Sequence, residues 1–199
     1  MSLLVKICGL RNAADVAVAV EAGANAVGFV FAESVRKISP RDAVAAAAGL
    51  KEDVRKVAVM RHPSNEEWQD VLIEFRPDVL QTDIEDFERL VVPDSVLCLP
   101  VVREGHPALD GDLPDAFVYE GVNSGQGETV DWQRAASVAM RGKMILAGGL
   151  SAANLEQAVQ IVRPFGVDVS SAVESAPGVK DAQLIREFIE AARAAEQQL

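Results

Sequence analysis

Short apolar runs recur along the chain, separated by stretches whose apolar residues return at helical spacing. Leu3–Cys8, Ala26–Phe31, Arg55–Met60, Asp78–Gln81, Val96–Val102, Ala116–Tyr119, Met144–Ala147 and Val167–Val169 read as eight strands. Val, Ile, Leu and Phe are nearly continuous in them rather than alternating with polar residues. That pattern belongs to a parallel sheet covered on both faces.

Helix starts stand between several of these runs. Asn12 caps Ala13–Ala22, with Asp15 in the first turn and Gly23 past the end. Ser39 followed by Pro40 opens Arg41–Leu50, and Ser64 with Glu67 forms a capping box for a third helix. Ser151 opens Ala152–Val162, and a last helix covers Asp181–Ala195. Glu104 to Asp115, rich in Gly, Pro and Asp, occupies the place of a fifth helix and predicts none. Gly121–Glu128 reads as a loop. No linker divides the chain, so one domain over residues 1–199 is expected.

Strand–helix alternation closes either as an open doubly wound sheet or as a barrel. An open sheet more often carries a Gly-rich dinucleotide turn after its first strand, and Cys8-Gly9-Leu10-Arg11 is not one. The expected fold is therefore α/β, a compact (β/α)8 TIM barrel, at 199 residues shorter than the usual length of about 250.

Charge narrows the partners. Thirty acids against 19 bases give a net charge of −11, a surface that repels nucleic acid and anionic membranes. An anionic substrate then needs a local positive field from backbone amides, a helix N-terminus or a placed Arg. The two cysteines, Cys8 and Cys98, make neither a disulfide framework nor a four-ligand zinc site. Cys98, mid-strand among Leu and Val, is assigned to the core. His62 and His106 have no carboxylate or second His at ligand spacing, so no metal site is expected. No apolar run approaches a membrane span, and a cytoplasmic protein is expected.

In a barrel of this kind the chemistry lies at the C-terminal ends of the strands, and phosphate is usually held by the loops after strands seven and eight. Those ends carry Cys8, Phe31 to Arg36, Gln81 to Asp83, Glu120, Gly148-Gly149 and Asp168 to Ala172. Gly148-Gly149 leads into a helix and would let backbone amides approach a phosphate, or would simply make a tight turn. Ser170-Ser171 adds amides and hydroxyls. Cys8 alone could be a small buried hydrophobe, and Glu120 could face solvent. Together, a thiol and a carboxylate at strand tips point to proton transfer on a phosphorylated sugar.

The sequence also resembles a known family along its whole length. Val5-Lys6-Ile7-Cys8-Gly9-Leu10, Ala22 through Phe31 with Ser34 to Pro40, Ser124 through Trp132, Ile145 through Leu150, Val162 through Ser171, and Glu174 through Asp181 are similar, in order, to motifs of the phosphoribosylanthranilate isomerases of tryptophan biosynthesis. The resemblance implies an Amadori rearrangement of an aminoaldose to an aminoketose, with no cofactor. It implies Cys8 as general base, Glu120 as general acid, and Arg36, Gln81 and Asp168 as substrate-binding residues. Gly148, Gly149, Ser170 and Ser171 would hold the phosphate. The partner is a small phosphorylated sugar, and the protein a monomer or homodimer. The chain departs from the family pattern in three places: Glu120 stands for an Asp, Asp83 for a His, and Ala172 for a Gly whose backbone freedom Ala lacks. A paralogue acting on another phosphorylated aminosugar and a non-catalytic phosphosugar-binding protein are the alternatives.

Overall fold

The computed structural model describes residues 2–122 and 129–199. Eight parallel strands close into a barrel in sequence order, with β8 pairing back onto β1. They are β1 (Leu4–Cys8), β2 (Ala26–Val30), β3 (Arg55–Val59), β4 (Val79–Asp83), β5 (Leu97–Arg103), β6 (Ala116–Glu120), β7 (Lys143–Leu146) and β8 (Gly166–Val169). The helices α1 (Ala13–Ala22), α2 (Pro40–Ala46), α3 (Asn65–Phe75), α4 (Trp132–Ala139), α5 (Leu155–Val162) and α6 (Ala182–Glu196) lie outside it. A short hairpin, β9 (Glu174–Ala176) and β10 (Val179–Lys180), follows β8. No helix among the described residues is long and apolar enough to cross a membrane.

Side chains alternate across each strand, so the barrel has two cores. Ala26, Val57, Val79, Leu99, Val101, Val118, Ile145 and Ala147 fill its interior. Val5, Ile7, Val27, Phe29, Leu80, Phe117, Tyr119 and Val167 face the helices. This two-sided burial is why the strands read as continuous apolar runs.

The caps of the first three helices match the sequence. Asn12 accepts from the Asp15 amide, Ser39 from the Asp42 amide, and Ser64 with Glu67 closes a reciprocal capping box. The fifth helix start differs. Ser151 does not cap it; its amide donates to Asn154 Oδ1 at 2.8 Å, and the helix begins at Leu155. The sequence reading did not place α4, although Asp131 caps it by accepting from the Gln133 and Arg134 amides. The stretch Glu104 to Asp115 holds only a 3-10 turn, Pro107–Asp110, as its composition predicts.

Cys98 corrects an expectation: it is exposed, not in the core. It points to the helix side of β5, where the flanking segments Ile84–Glu88 and Pro107–Asp110 are 3-10 turns. The outer layer is too thin there to cover it. The predicted loop Gly121–Glu128 falls largely outside the described residues, as does the 124–128 part of the Gly-rich segment.

Candidate active site

The alternation that fills the barrel interior also aims the polar residues. Cys8, Gln81, Asp83, Arg103, Glu120 and Asp168 share the inward parity of their strands with the interior apolar cluster, and sit nearer the C-terminal ends. They line one open cavity of about 240 Å³ at that end of the barrel. Arg36, Gly148, Gly149, Ser170 and Ser171 line it too, so the fold brings together every residue to which the family resemblance gives a role.

Cys8 is buried, with Lys6 and Asp168 beside it. Lys6 Nζ lies 2.8 Å from Asp168 Oδ2, and the two residues are register neighbours on β1 and β8. Burial pushes the Cys8 thiol above its ordinary value, while the Lys6 and Lys180 ammonium groups pull it back. Burial would likewise strip Lys6 of its charge, but Asp168 and Cys8 outweigh it and keep the ammonium protonated. The Asp168 carboxyl is raised by burial, against the pull of Lys6 and Lys180.

Three buried acceptors on cavity-lining residues have no hydrogen-bond partner among the described residues: Gln81 Oε1, Asp83 Oδ2 and Asp168 Oδ1. Buried polar groups are otherwise almost always paired, so such atoms mark where a ligand donor fits.

Arg36 is held by Glu174 of β9. Its Nε donates at 2.7 Å and its Nη2 at 2.9 Å to the two carboxylate oxygens, a bidentate pair that fixes the guanidinium plane. Lys180 Nζ meets the same carboxylate at 2.7 Å, and the Gly178 amide at 3.1 Å. The hairpin after β8 thus clamps the arginine over the cavity. Lys180 also donates to Ser170 O at 2.8 Å, and Ser170 Oγ donates to Cys8 O at 3.2 Å, which ties the loop after β8 to the tip of β1.

After β7, Gly148 and Gly149 take left-handed backbone angles, φ 91° and 61°, which a side chain would strain. Asn154 Nδ2 donates to Gly149 O at 2.8 Å and locks the turn. Ala172 raises no such problem. It lies in a 3-10 turn, Ser171–Val173, and is not among the residues of positive φ, so the expected strain at this position is absent.

Reading by spacing missed three features. Arg103 joins Asp83 and Glu120, donating through Nη2 to Asp83 Oδ1 at 2.7 Å and through Nη1 to Glu120 Oε1. Its signal was its place at the end of an apolar strand. Lys6 likewise interrupts an apolar run two residues before Cys8. The third is His62, for which no carboxylate partner was expected. The fold supplies two, Asp83 Oδ2 at 3.4 Å from Nε2 and Asp86 Oδ1 at 3.2 Å from Nδ1. Neighbouring strand ends bring them together across more than 20 residues of sequence. This group has the size of a cation site. Its carboxylates already meet Arg103 and Arg89, the latter 2.6 Å from Asp86, so their charge is balanced from within the chain.

The comparisons with known proteins agree with this geometry. The family model for N-(5'-phosphoribosyl)anthranilate isomerase matches residues 5–191. The isomerase of that name from Nitrobacter winogradskyi is 38% identical over 217 residues, covering 100% of this chain and 96% of the relative. The crystal structure of phosphoribosyl anthranilate isomerase from Thermotoga maritima superposes with a TM-score of 0.86 at 33% identity, covering 96% of this chain and 99% of the other. A structure of such an isomerase in complex with reduced 1-(o-carboxyphenylamino)-1-deoxyribulose 5-phosphate superposes with a TM-score of 0.82 at 33% identity, with the same coverage. With its thiol and carboxylate at one barrel mouth and its sequence matched from β1 to α6, this chain belongs to the N-(5'-phosphoribosyl)anthranilate isomerase family.

Proposed function

We propose that the protein converts N-(5'-phosphoribosyl)anthranilate to 1-(2-carboxyphenylamino)-1-deoxyribulose 5-phosphate, an Amadori rearrangement in tryptophan biosynthesis. The observation that carries this reading is the placing of Cys8 and Glu120 on one cavity, from β1 and β6. The reaction needs an acid and a base, and a thiol and a carboxylate at the barrel mouth can supply them.

Glu120 gives a proton to the furanose ring oxygen. The C1′–O bond breaks, the anilino nitrogen donates its lone pair, and an open-chain iminium forms. Cys8 then takes the C2′ proton, and the C–H electrons move into C1′=C2′ while the C1′=N pair returns to nitrogen. The resulting enolamine gains a proton at C1′ and loses one from O2′, which leaves the ketone. The substrate's own nitrogen serves as the electron sink, so the chemistry calls for no cofactor.

The remaining residues bind. The amides of Gly149 and the loop at Ser170-Ser171, with Gly148 shaping the turn, accept the phosphate at the end of the barrel where this fold usually holds one. Arg36 faces the anthranilate carboxylate; Glu174 uses its Nε and Nη2 and leaves the Nη1 edge for the substrate. The open acceptors Asp168 Oδ1 and Gln81 Oε1 receive ribose hydroxyls. An assay with freshly made phosphoribosylanthranilate, followed by loss of its anthranilate fluorescence, tests the proposal. Steady turnover is expected, and folded protein that leaves the fluorescence unchanged overturns it.

A further inference from the structure

A thiol acting as a base must first lose its proton, and burial makes that harder. Cys8 lines the cavity from the end of β1 and is buried there, which pushes its thiol up. What faces it is therefore decisive. Lys6 shares its strand and parity, two residues earlier, and is wholly buried at 0% exposure. A Cβ placed on Gly28 of β2 would lie 3.0 Å from Cys8 Sγ and 3.3 Å from Lys6 Cε, so sulfur and lysine stem pack side by side over the same glycine. From β8, Asp168 fixes the ammonium at 2.8 Å.

A buried ion pair is a poor way to stabilise a barrel. Desolvating both charges costs about what their attraction returns, and an apolar pair often serves as well. The other cations near the thiol are engaged elsewhere. Lys180 on β10 and Arg36 after β2 both point their donors at Glu174. Among the described residues, Lys6 answers to Asp168 and Cys8. We infer that Lys6 is a positioning residue for the catalytic base: its ammonium, anchored by Asp168, holds the Cys8 sulfur in place as the charged acceptor of the substrate proton.

The inference rests on reading Cys8 as the base. In the step itself the thiolate lone pair takes the C2′ proton and the sulfur becomes a neutral thiol. Lys6 keeps its own protons throughout and touches no reacting atom, so it acts through the sulfur alone.

The test uses the Cys98→Ser protein, in which Cys8 is the remaining thiol. The ultraviolet thiolate band, followed against pH, reports Cys8 without requiring turnover. In Lys6→Met the midpoint is expected to rise by at least about one pH unit, since an opposite charge at close range shifts a group by about 1–3 units. The acid limb of kcat should move with it, and KM should change little. A folded variant with an unshifted midpoint overturns the inference. Should loss of the partner of Asp168 prevent folding, the parent protein supplies a second readout. The side-chain nitrogen resonance of Lys6 should inflect at the pH where the thiolate band appears, and the inflection should vanish in Cys8→Ser. A Lys6 resonance blind to that ionisation also overturns the inference. The two readings fail separately: an active Cys8→Ser removes the base assignment, whereas an inactive one with an uncoupled Lys6 removes only the role of the lysine.

Discussion

Arg103 donates through Nη1 to Glu120 and through Nη2 to Asp83 Oδ1 at 2.7 Å, joining the inward ends of three consecutive strands, β4, β5 and β6. Two bonds from one guanidinium fix where the Glu120 carboxyl sits. Arg103→Gln removes the charge and shortens the reach, so the carboxyl loses that anchor and kcat should fall, by up to about the 10²-fold of a ~1 Å misplacement. Steady-state kinetics of the two proteins check this, and an unchanged kcat means that Arg103 does not position Glu120.

Glu120 is one methylene longer than the Asp usual in the family, and Arg103 holds it at this reach. Glu120→Asp withdraws the carboxyl from both Arg103 and the ring oxygen. A misplacement of about 1 Å can cost roughly 10²-fold, so kcat should fall. Glu120→Gln, which cannot give a proton, should fall further, within the ~10²–10⁴-fold typical of a lost general acid. A gain of rate in Glu120→Asp would show instead that the pocket is still shaped for the shorter acid.

Cys8→Ser is nearly isosteric, and a hydroxyl is far less acidic than a thiol. Its kcat is expected to drop by ~10²–10⁴-fold with KM little changed, because the proton is taken only in the transition state. Retention of more than about a third of kcat, well inside that range, would make Cys8 structural.

Gly28 gives the thiol its room. An added Cβ would stand 3.0 Å from Cys8 Sγ, 3.3 Å from Cys8 Cα and 3.3 Å from Lys6 Cε, each closer than ordinary contact. Gly28→Ala should therefore displace the sulfur by a fraction of an ångström and lower kcat, by less than the roughly 10²-fold of a ~1 Å misplacement. Overpacking should also cost about 1–3 kcal/mol of stability. Kinetics and urea unfolding on the same preparation separate the two effects.

The strands, the helix caps and the places of Cys8 and Glu120 at strand ends were legible because each is a local signal: an apolar run, a cap, a polar residue where a run ends. What escaped depends on which strands become neighbours. Arg103 reads as an ordinary basic residue until β5 lies between β4 and β6. His62 acquires its carboxylates only when the end of β4 comes beside the loop after β3. Lys6 looks like a flaw in a buried strand until closure sets β8, with Asp168, against β1. Cys98 was misread for the opposite reason: its apolar neighbours promise burial, and only the missing helix beside β5 exposes it.

Glu174 makes the sharpest prediction for pH. Burial alone would raise its carboxyl, but the hydrogen bonds from Arg36, Lys180 and the Gly178 amide overcome this and hold it at about 2, against an ordinary 4.5. The folded state therefore binds this proton less readily than the unfolded chain does. Stability from the clamp is fully present above about pH 4.5 and is lost as pH falls toward 2. Glu174→Gln removes the charge at every pH. Near neutrality it should unfold at lower urea than the parent, and its looser Arg36 should raise KM more than it lowers kcat. As the pH drops from 4.5 toward 2, the parent loses the same contribution and the two urea midpoints should converge. Midpoints that stay equally far apart across that window would mean that the carboxylate does not titrate against Arg36 and Lys180, and that the hairpin is held over the cavity by its backbone pairing instead.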